Sequence, residues 1–491
     1  MPLLAPALML VLLPVSGARL RTEVVFSETA NLAYQLDMVS GLLVHLDPAD
    51  YKALWETEFL RTEEDRRHLK RWAALRERYA QSLAIPTAPM PLESIRGYVT
   101  LSEQMRVASL RARNRDEFVE GASLLMLPAD VAQLSETMRH FEAPFRAWWR
   151  REAEGKGRAF VSSTRALLNR PSIQGRIEQF RRFYGPALPP DAKVTFSLLY
   201  RPDRAKAPTS GQQLGSVGAV EFLGNERAED RLPVVLHEFC HYLFGARPDE
   251  ANIALQQRLM ATQDSAVKPS LNLMNEGLAS AFGNGVIERE IRPADKWVKY
   301  LAAPRSFYND ANIDRAGKAL LSLTDAWIAQ GRTMDDPGFP TAYLSAMKAA
   351  FGDELTRPLL FLNEAFLFVD EPFGLEFSRE VRNRLRVASA YTRVRAAIDA
   401  DAIKPFTSQP NLSAVFVVRP NQLPALEAEK ILTPDQARIL KAGAEQEGSQ
   451  MMGLRRSPYS RTFIIVASDV EAARREVGRL ADELRDLSRG S

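Results

Sequence analysis

A single cysteine, Cys240, stands in 491 residues. No internal disulfide can form, so the fold relies on its packed core rather than on covalent staples. Histidine is almost as scarce: His45, His68, His140, His237 and His241 are the whole set. Charge of one sign is lacking too, with a net of +3 and no basic tail or stripe. That argues against a nucleic-acid partner. The Arg-rich stretches at 176–182 and 379–395 fit solvated helix faces. There is no internal repeat. The N-terminal apolar run, residues 1–18, is too short and too proline-rich to span a membrane. It ends in Ser16-Gly17-Ala18 and reads as a secretory signal cut after Ala18, although basic residues before it are missing. The mature chain is expected to be exported, periplasmic or extracellular, with no stable membrane span. A cytoplasmic location is the alternative.

Against this background, residues 234–245 stand out. They read Val-Val-Leu-His-Glu-Phe-Cys-His-Tyr-Leu-Phe-Gly, an H-E-x-x-H inside an apolar run. Residues four apart on an α-helix share a face, so His237 and His241 can hold one metal ion between them. Glu238 then reaches a water on that ion and can take its proton. Two ordinary core histidines are the bland reading. A buried Glu among apolar residues argues against it, because such a carboxylate is costly without compensation. Asp230 is expected to cap the helix, Pro233 to sit in its first turn, and Gly245 with Pro248 to end it. Cys240 is turned away from the line joining the two histidines and reads as a small packing residue.

A catalytic zinc needs a third protein ligand and an open position. No histidine follows His241, so the three-histidine downstream pattern is excluded. The third ligand is then a downstream carboxylate or a histidine from far upstream. Glu276 is the best carboxylate, in Asn275-Glu276-Gly277-Leu278-Ala279-Ser280-Ala281-Phe282. Asp249, Glu250, Asp264 and Glu288 compete, but in more polar surroundings. Ser270 is expected to cap this second helix, and Gly283-Asn284-Gly285 to end or break it. Gly277 suggests close approach of another backbone, for which the His237 helix is the natural neighbour.

H-E-F-C-H-Y-L-F-G followed by N-E-G-L-A-S-A-F resembles the gluzincin metallopeptidases, nearest the aminopeptidase N branch with its H-E-x-x-H-x-x-F-G and N-E-G-x-A. The likeness covers roughly residues 230–290. It implies His237, His241 and Glu276 as zinc ligands, Glu238 as general base, and a peptide or protein as substrate. It also implies a tyrosine that donates to the oxyanion, for which Tyr343 is the first candidate and Tyr308 the second. Three features depart from the pattern. The gap between His241 and Glu276 is longer, with room for a looped-out helix. The amine-binding G-x-M-E-N strand is only faintly echoed at 218–222, where Glu221 reads as an ordinary strand residue. The position four after Glu276 is Ser280 rather than Asp, so support for a histidine ligand must come from elsewhere. Whether cleavage is internal or terminal stays open. So do two other readings: an inactive helical binding protein with a relic site, and a zinc hydrolase of a non-peptide bond.

The expected fold is α+β and predominantly helical. Residues 19–190 form a helical region, with helices at 49–80, 105–119, 129–151 and 172–183 from their apolar spacing. Trp148 and Trp149 belong to its core. Residues 191–402 form a gluzincin-like domain with a small sheet, an active-site helix and a helical subdomain. Strands at 194–200 and 216–223 precede the metal helix, joined by a Gly/Pro/Ser-rich loop. One of them is expected to line the cleft and pair with an extended substrate. A linker near Pro405 and Pro410 leads to a small α/β region, 411–491, with strands at 414–418 and 462–467 and helices at 434–443 and 470–487.

Overall fold

The computed structural model describes residues 20–43, 46–79, 82–83, 91–92, 99–189, 191–203, 209–387 and 389–486. The signal-like run 1–18 lies outside them. The described chain is predominantly helical with small mixed sheets. No helix among these residues is long and apolar enough to cross a membrane.

Capping divides the N-terminal helices more finely than apolar periodicity predicts. The stretch read as one helix from 49 to 80 is two, Ala49–Glu58 and Glu63–Arg78. Thr62 restarts the chain with a reciprocal box, its hydroxyl accepting from Asp65 N while Asp65 accepts from Thr62 N. Asn114 does the same between Leu101–Arg111 and Arg115–Ser123, accepting from Glu117 N. Pro128–Glu152 and Pro171–Tyr184 follow the predicted spans closely. Trp148 and Trp149 are buried, the latter with Phe26 stacked on it at 4.3 Å.

The first sheet comprises β1 (Arg21–Val25), β2 (Lys193–Arg201), β3 (Gly211–Leu214) and β4 (Val217–Leu223). Their order is β1-β2-β4-β3, with β3 antiparallel to β4 and the others parallel. The two central strands are buried along nearly their whole length because helices cover both faces. The Glu28–Val39 and Leu101–Arg111 helices pack on one side, through Tyr34, Met38 and Leu110. The helix carrying His237 packs on the other, against β3 and β4. One edge of the sheet is β3, inside what reads in the sequence as a plain loop, and the other is β1.

Glu221 is far from an ordinary strand residue. It is 1% exposed and accepts from Tyr34, Tyr51, Arg201 and Ser210. Arg201 in turn pairs with Asp50 at 2.8 Å. A buried charge satisfied on every side ties β2 and β4 to two N-terminal helices.

The C-terminal unit is larger than predicted. Its sheet holds β5 (Glu364–Asp370), β6 (Ser389–Arg395), β7 (Ser413–Val418), β8 (Ser449–Leu454) and β9 (Thr462–Ala467). The order is β8-β9-β7-β5-β6, and only β8 is antiparallel to its neighbour. The helical subdomain expected within 191–402 gives way to β5, an interior strand of this sheet. Its core begins at Leu362, so the boundary placed between 402 and 411 falls inside the unit. The linker read at Pro405 is the helix Ala400–Thr407, capped by Asp399. A buried ion pair, Lys268 to Glu364 at 2.7 Å, joins the base of β5 to the metal-site region.

Candidate metal centre

The histidine helix runs from Ala228 to Gly245. It begins two residues before the predicted cap: Asp230 lies in its first turn, accepting from Arg227 N at 3.2 Å, and Pro233 lies in the second turn. Gly245 ends it as expected. The glutamate helix runs from Val267 to Ala279 and passes without a stop into a π-helical segment, Ser280–Ile287. Gly283-Asn284-Gly285 is therefore neither an end nor a break. Its glycine serves contact: a Cβ built on Gly283 would lie 2.6 Å from Pro233 O and 2.7 Å from His237 N. The close approach predicted at Gly277 is to Ala316 instead, on the helix Ala311–Ala329.

His237, His241 and Glu276 converge. The two Nε2 atoms are 3.0 Å apart, and Glu276 lies 3.3 Å from His237 and 3.5 Å from His241. Each imidazole is aimed by an asparagine. His241 Nδ1 donates to Asn275 Oδ1 at 3.0 Å, and His237 Nδ1 donates to Asn284 Oδ1 at 2.9 Å. With both Nδ1 atoms protonated, both Nε2 lone pairs face one point. On a continuous α-helix Asn284 would sit about 80° round from Glu276. The wider turns of the π segment rotate it back toward the histidines, and such segments recur at functional sites.

These residues fit a metal ion. Ligand atoms about 2.0–2.1 Å from a tetrahedral zinc stand roughly 3.3 Å from one another, close to the three separations seen here. Glu276 Oε2 is buried with no hydrogen-bond partner. An orphaned carboxylate oxygen beside two converging lone pairs wants a cation. In the metal-free protein a proton does that work. Burial alone would lower the His241 imidazole, but Glu276 and Glu238 raise it to about 9. His241 and His237, against burial, hold Glu276 well below the usual carboxylate range. A metal taking this place displaces that proton. Asn284→Ala is expected to weaken metal binding about 10–100-fold with little loss of fold, as removal of a histidine's support does elsewhere. Competition titration against a chelator reads that change.

Glu238 is 5% exposed, and burial raises its carboxyl. A Cβ on Gly211 would lie 2.4 Å from Glu238 Oε1, so the carboxylate rests against the start of β3. Tyr343 is not part of the site. It is fully buried on Phe339–Phe351 and donates to Ser270 O at 2.7 Å. Ser270, the expected cap, lies within the glutamate helix rather than ahead of it. Tyr308 is the tyrosine that reaches the site, its ring stacked over His237 at 5.7 Å. Glu276 and burial raise its hydroxyl strongly. Its loop is held from both ends: Asp314 accepts from Arg305 N and Phe307 N, while Arg386 pairs with Asp310 at 2.7 Å.

The other carboxylates stand apart. Asp264 pairs with Lys348 and Glu288 with Arg292, and Asp249 and Glu250 do not join the cluster. Ser280 is buried against Gly317, away from the histidines. Cys240 is buried, as expected, with Tyr184 beside its thiol. Glu64, His68 and His140 form a second group of metal-ligating residues. Its imidazoles stack face to face at 4.0 Å and 18°, which sends their in-plane lone pairs along parallel lines. His140 is also engaged with Asp65 at 2.8 Å.

The centre opens into a cleft of about 1330 Å³. Its walls are the histidine helix, β3, the Leu101–Arg111 helix, Tyr308 and the end of the helix Gly374–Arg384. Sequence reasoning missed four of its parts: the π segment, Asn284, β3 and Arg106. Compared with known proteins, the chain matches no family model, no curated protein and no solved structure.

Proposed function

We propose that the chain is a zinc-dependent peptidase with a gluzincin-like catalytic domain. The observation that carries this reading is the convergence of His237, His241 and Glu276, with an unpartnered Glu276 oxygen, beside a buried Glu238 at an open strand edge. His237, His241 and Glu276 would hold the metal. Zinc, when bound, lowers the pKa of water toward neutrality and polarises a carbonyl. Glu238 takes the proton of the attacking water and passes it to the leaving amine. Burial raises the Glu238 carboxyl, which makes it a stronger base for the first of these tasks. Tyr308, held over His237, donates to the oxygen of the attacked carbonyl as its charge develops. The free edge of β3 pairs with the backbone of an extended substrate and presents it to Glu238. The signal-like run at 1–18 supports an activity outside the cytoplasm, with a cytoplasmic one as the alternative.

Incubation of zinc-loaded protein with a mixed peptide library, read by mass spectrometry of new termini, tests the reading. Cleavage is expected, lost with a chelator and restored by zinc. A protein that holds zinc and cuts nothing would favour a binding role or a non-peptide substrate instead. The positions of the cuts separate internal from terminal cleavage.

A further inference from the structure

The wall of the cleft facing away from the histidine helix carries a cation without an acid. Arg106 lies on the Leu101–Arg111 helix and is 6% exposed. Among the described residues no carboxylate forms an ion pair with it. Its one hydrogen bond goes to the side-chain oxygen of Gln212 on β3. Buried arginines elsewhere in this chain are matched: Arg76 with Asp37 at 2.7 Å, and Arg201 with Asp50 and Glu221. Removing a guanidinium from water without a carboxylate in contact is costly; Asp37 and Glu103 act on Arg106 without an ion pair, and burial weakens its hold on its proton. Two more arginines line the same cleft, Arg382 and the Asp310-paired Arg386.

Strand geometry puts Arg106 within reach of the reaction. Gly211 faces Glu238, so its neighbour Gln212 faces the opposite side of the sheet, where Arg106 binds it. Arg106 and Glu238 thus meet adjacent residues of β3 from opposite faces, and both line the one cleft. A substrate strand laid along the β3 edge alternates in the same way. One side chain turns toward the metal face and the next toward Arg106.

We infer that Arg106 receives a carboxylate of the substrate, so that the cleft selects acidic peptides. This deepens the peptidase reading and rests on it for what carries the carboxylate. A guanidinium binds a carboxylate through two parallel N–H donors, and a pair shielded from water is strong. The carboxylate comes either from an Asp or Glu side chain near the cleaved bond or from the substrate's own C-terminus.

The test separates binding from cleavage. Full-length, zinc-loaded Glu238→Gln protein is immobilised and offered peptide pools of four kinds: neutral or Asp/Glu-containing, each with an amidated or a free C-terminus. Carboxylate-bearing peptides are expected to be retained over neutral amidated ones. Adding Arg106→Gln is expected to reduce that preference about tenfold or more. Arg106→Lys, which keeps the charge, is expected to preserve part of it. Retention of amidated acidic peptides identifies the side chain as the source, and retention of neutral free-acid peptides identifies the C-terminus. Equal retention of neutral and acidic pools overturns the inference, as does a preference that survives Arg106→Gln. Should the preference hold while wild-type protein cuts none of the retained peptides, carboxylate recognition stands and the peptidase reading falls.

Discussion

Glu238→Gln is expected to remove hydrolysis and leave the metal in place. Glu238 is not among the converging ligands, and its carboxylate rests against Gly211 instead. Glutamine keeps the shape and loses only the capacity to take a proton. General-base catalysis contributes about 10²–10⁴ in rate, so a fall of that size is expected in cleavage of any peptide the wild type cuts. The same substitution has a stability signature. Burial raises the Glu238 carboxyl in the metal-free fold. A carboxyl raised on folding costs nothing below its unfolded pKa, an increasing amount as pH rises from there, and the full amount above its folded pKa. The metal-free variant should therefore unfold at a higher temperature than wild type at neutral pH, with the advantage fading in acid. Thermal melts across pH, beside zinc content and turnover, check all three points. Lower zinc content in the variant would show that Glu238 is a ligand rather than a base.

Gly283→Ala is the second change with a large expected effect. Its Cβ would fall 2.6 Å from Pro233 O, 2.7 Å from His237 N and 2.8 Å from His237 Cα. All three are backbone of the histidine helix, so no side chain can swing aside. The two helices must separate, carrying Asn284 and Glu276 away from His237. Overpacking of this kind costs about 1–3 kcal/mol. Metal affinity should fall with it, because the ligand set straddles the displaced contact. Gly175→Ala is the control. Gly175 sits in an exposed turn of Pro171–Tyr184 with nothing within 4 Å of a built Cβ. Alanine there should stabilise by about 0.5–1 kcal/mol. A melt and a metal titration on each variant would contradict the account if Gly283→Ala behaved like the control.

What was legible in the sequence was local. Four-residue spacing put His237 and His241 on one face, and the small residues after Glu276 marked a helix that packs closely. The partners of those helices were not legible. Gly277 and Gly283 look alike on paper, yet the first meets Ala316 and the second meets the histidine helix. Only the π segment, which no propensity signals, turns Asn284 onto His237. Tyr343 and Tyr308 both lie tens of residues past Glu276. The choice between them rests on tertiary bonds, with Tyr343 held by Ser270 O and the Tyr308 loop held by Asp314 and Arg386. The interior strand β5 was missed because Glu-Ala-Phe-Leu-Phe-Val-Asp is buried on both faces and does not alternate. The edge strand β3 was missed for the opposite reason: Gly-Gln-Gln-Leu is too short and polar to signal a strand.

The central claim is that His237, His241 and Glu276 hold one metal ion. Elemental analysis of purified full-length protein, equilibrated with zinc and then desalted, tests it most directly when run beside His241→Ala and Glu276→Ala. The account predicts one zinc per wild-type chain and its loss from both variants, with the His68 and His140 group retaining none. Wild-type protein without zinc, or variants that keep it in full, would contradict the account.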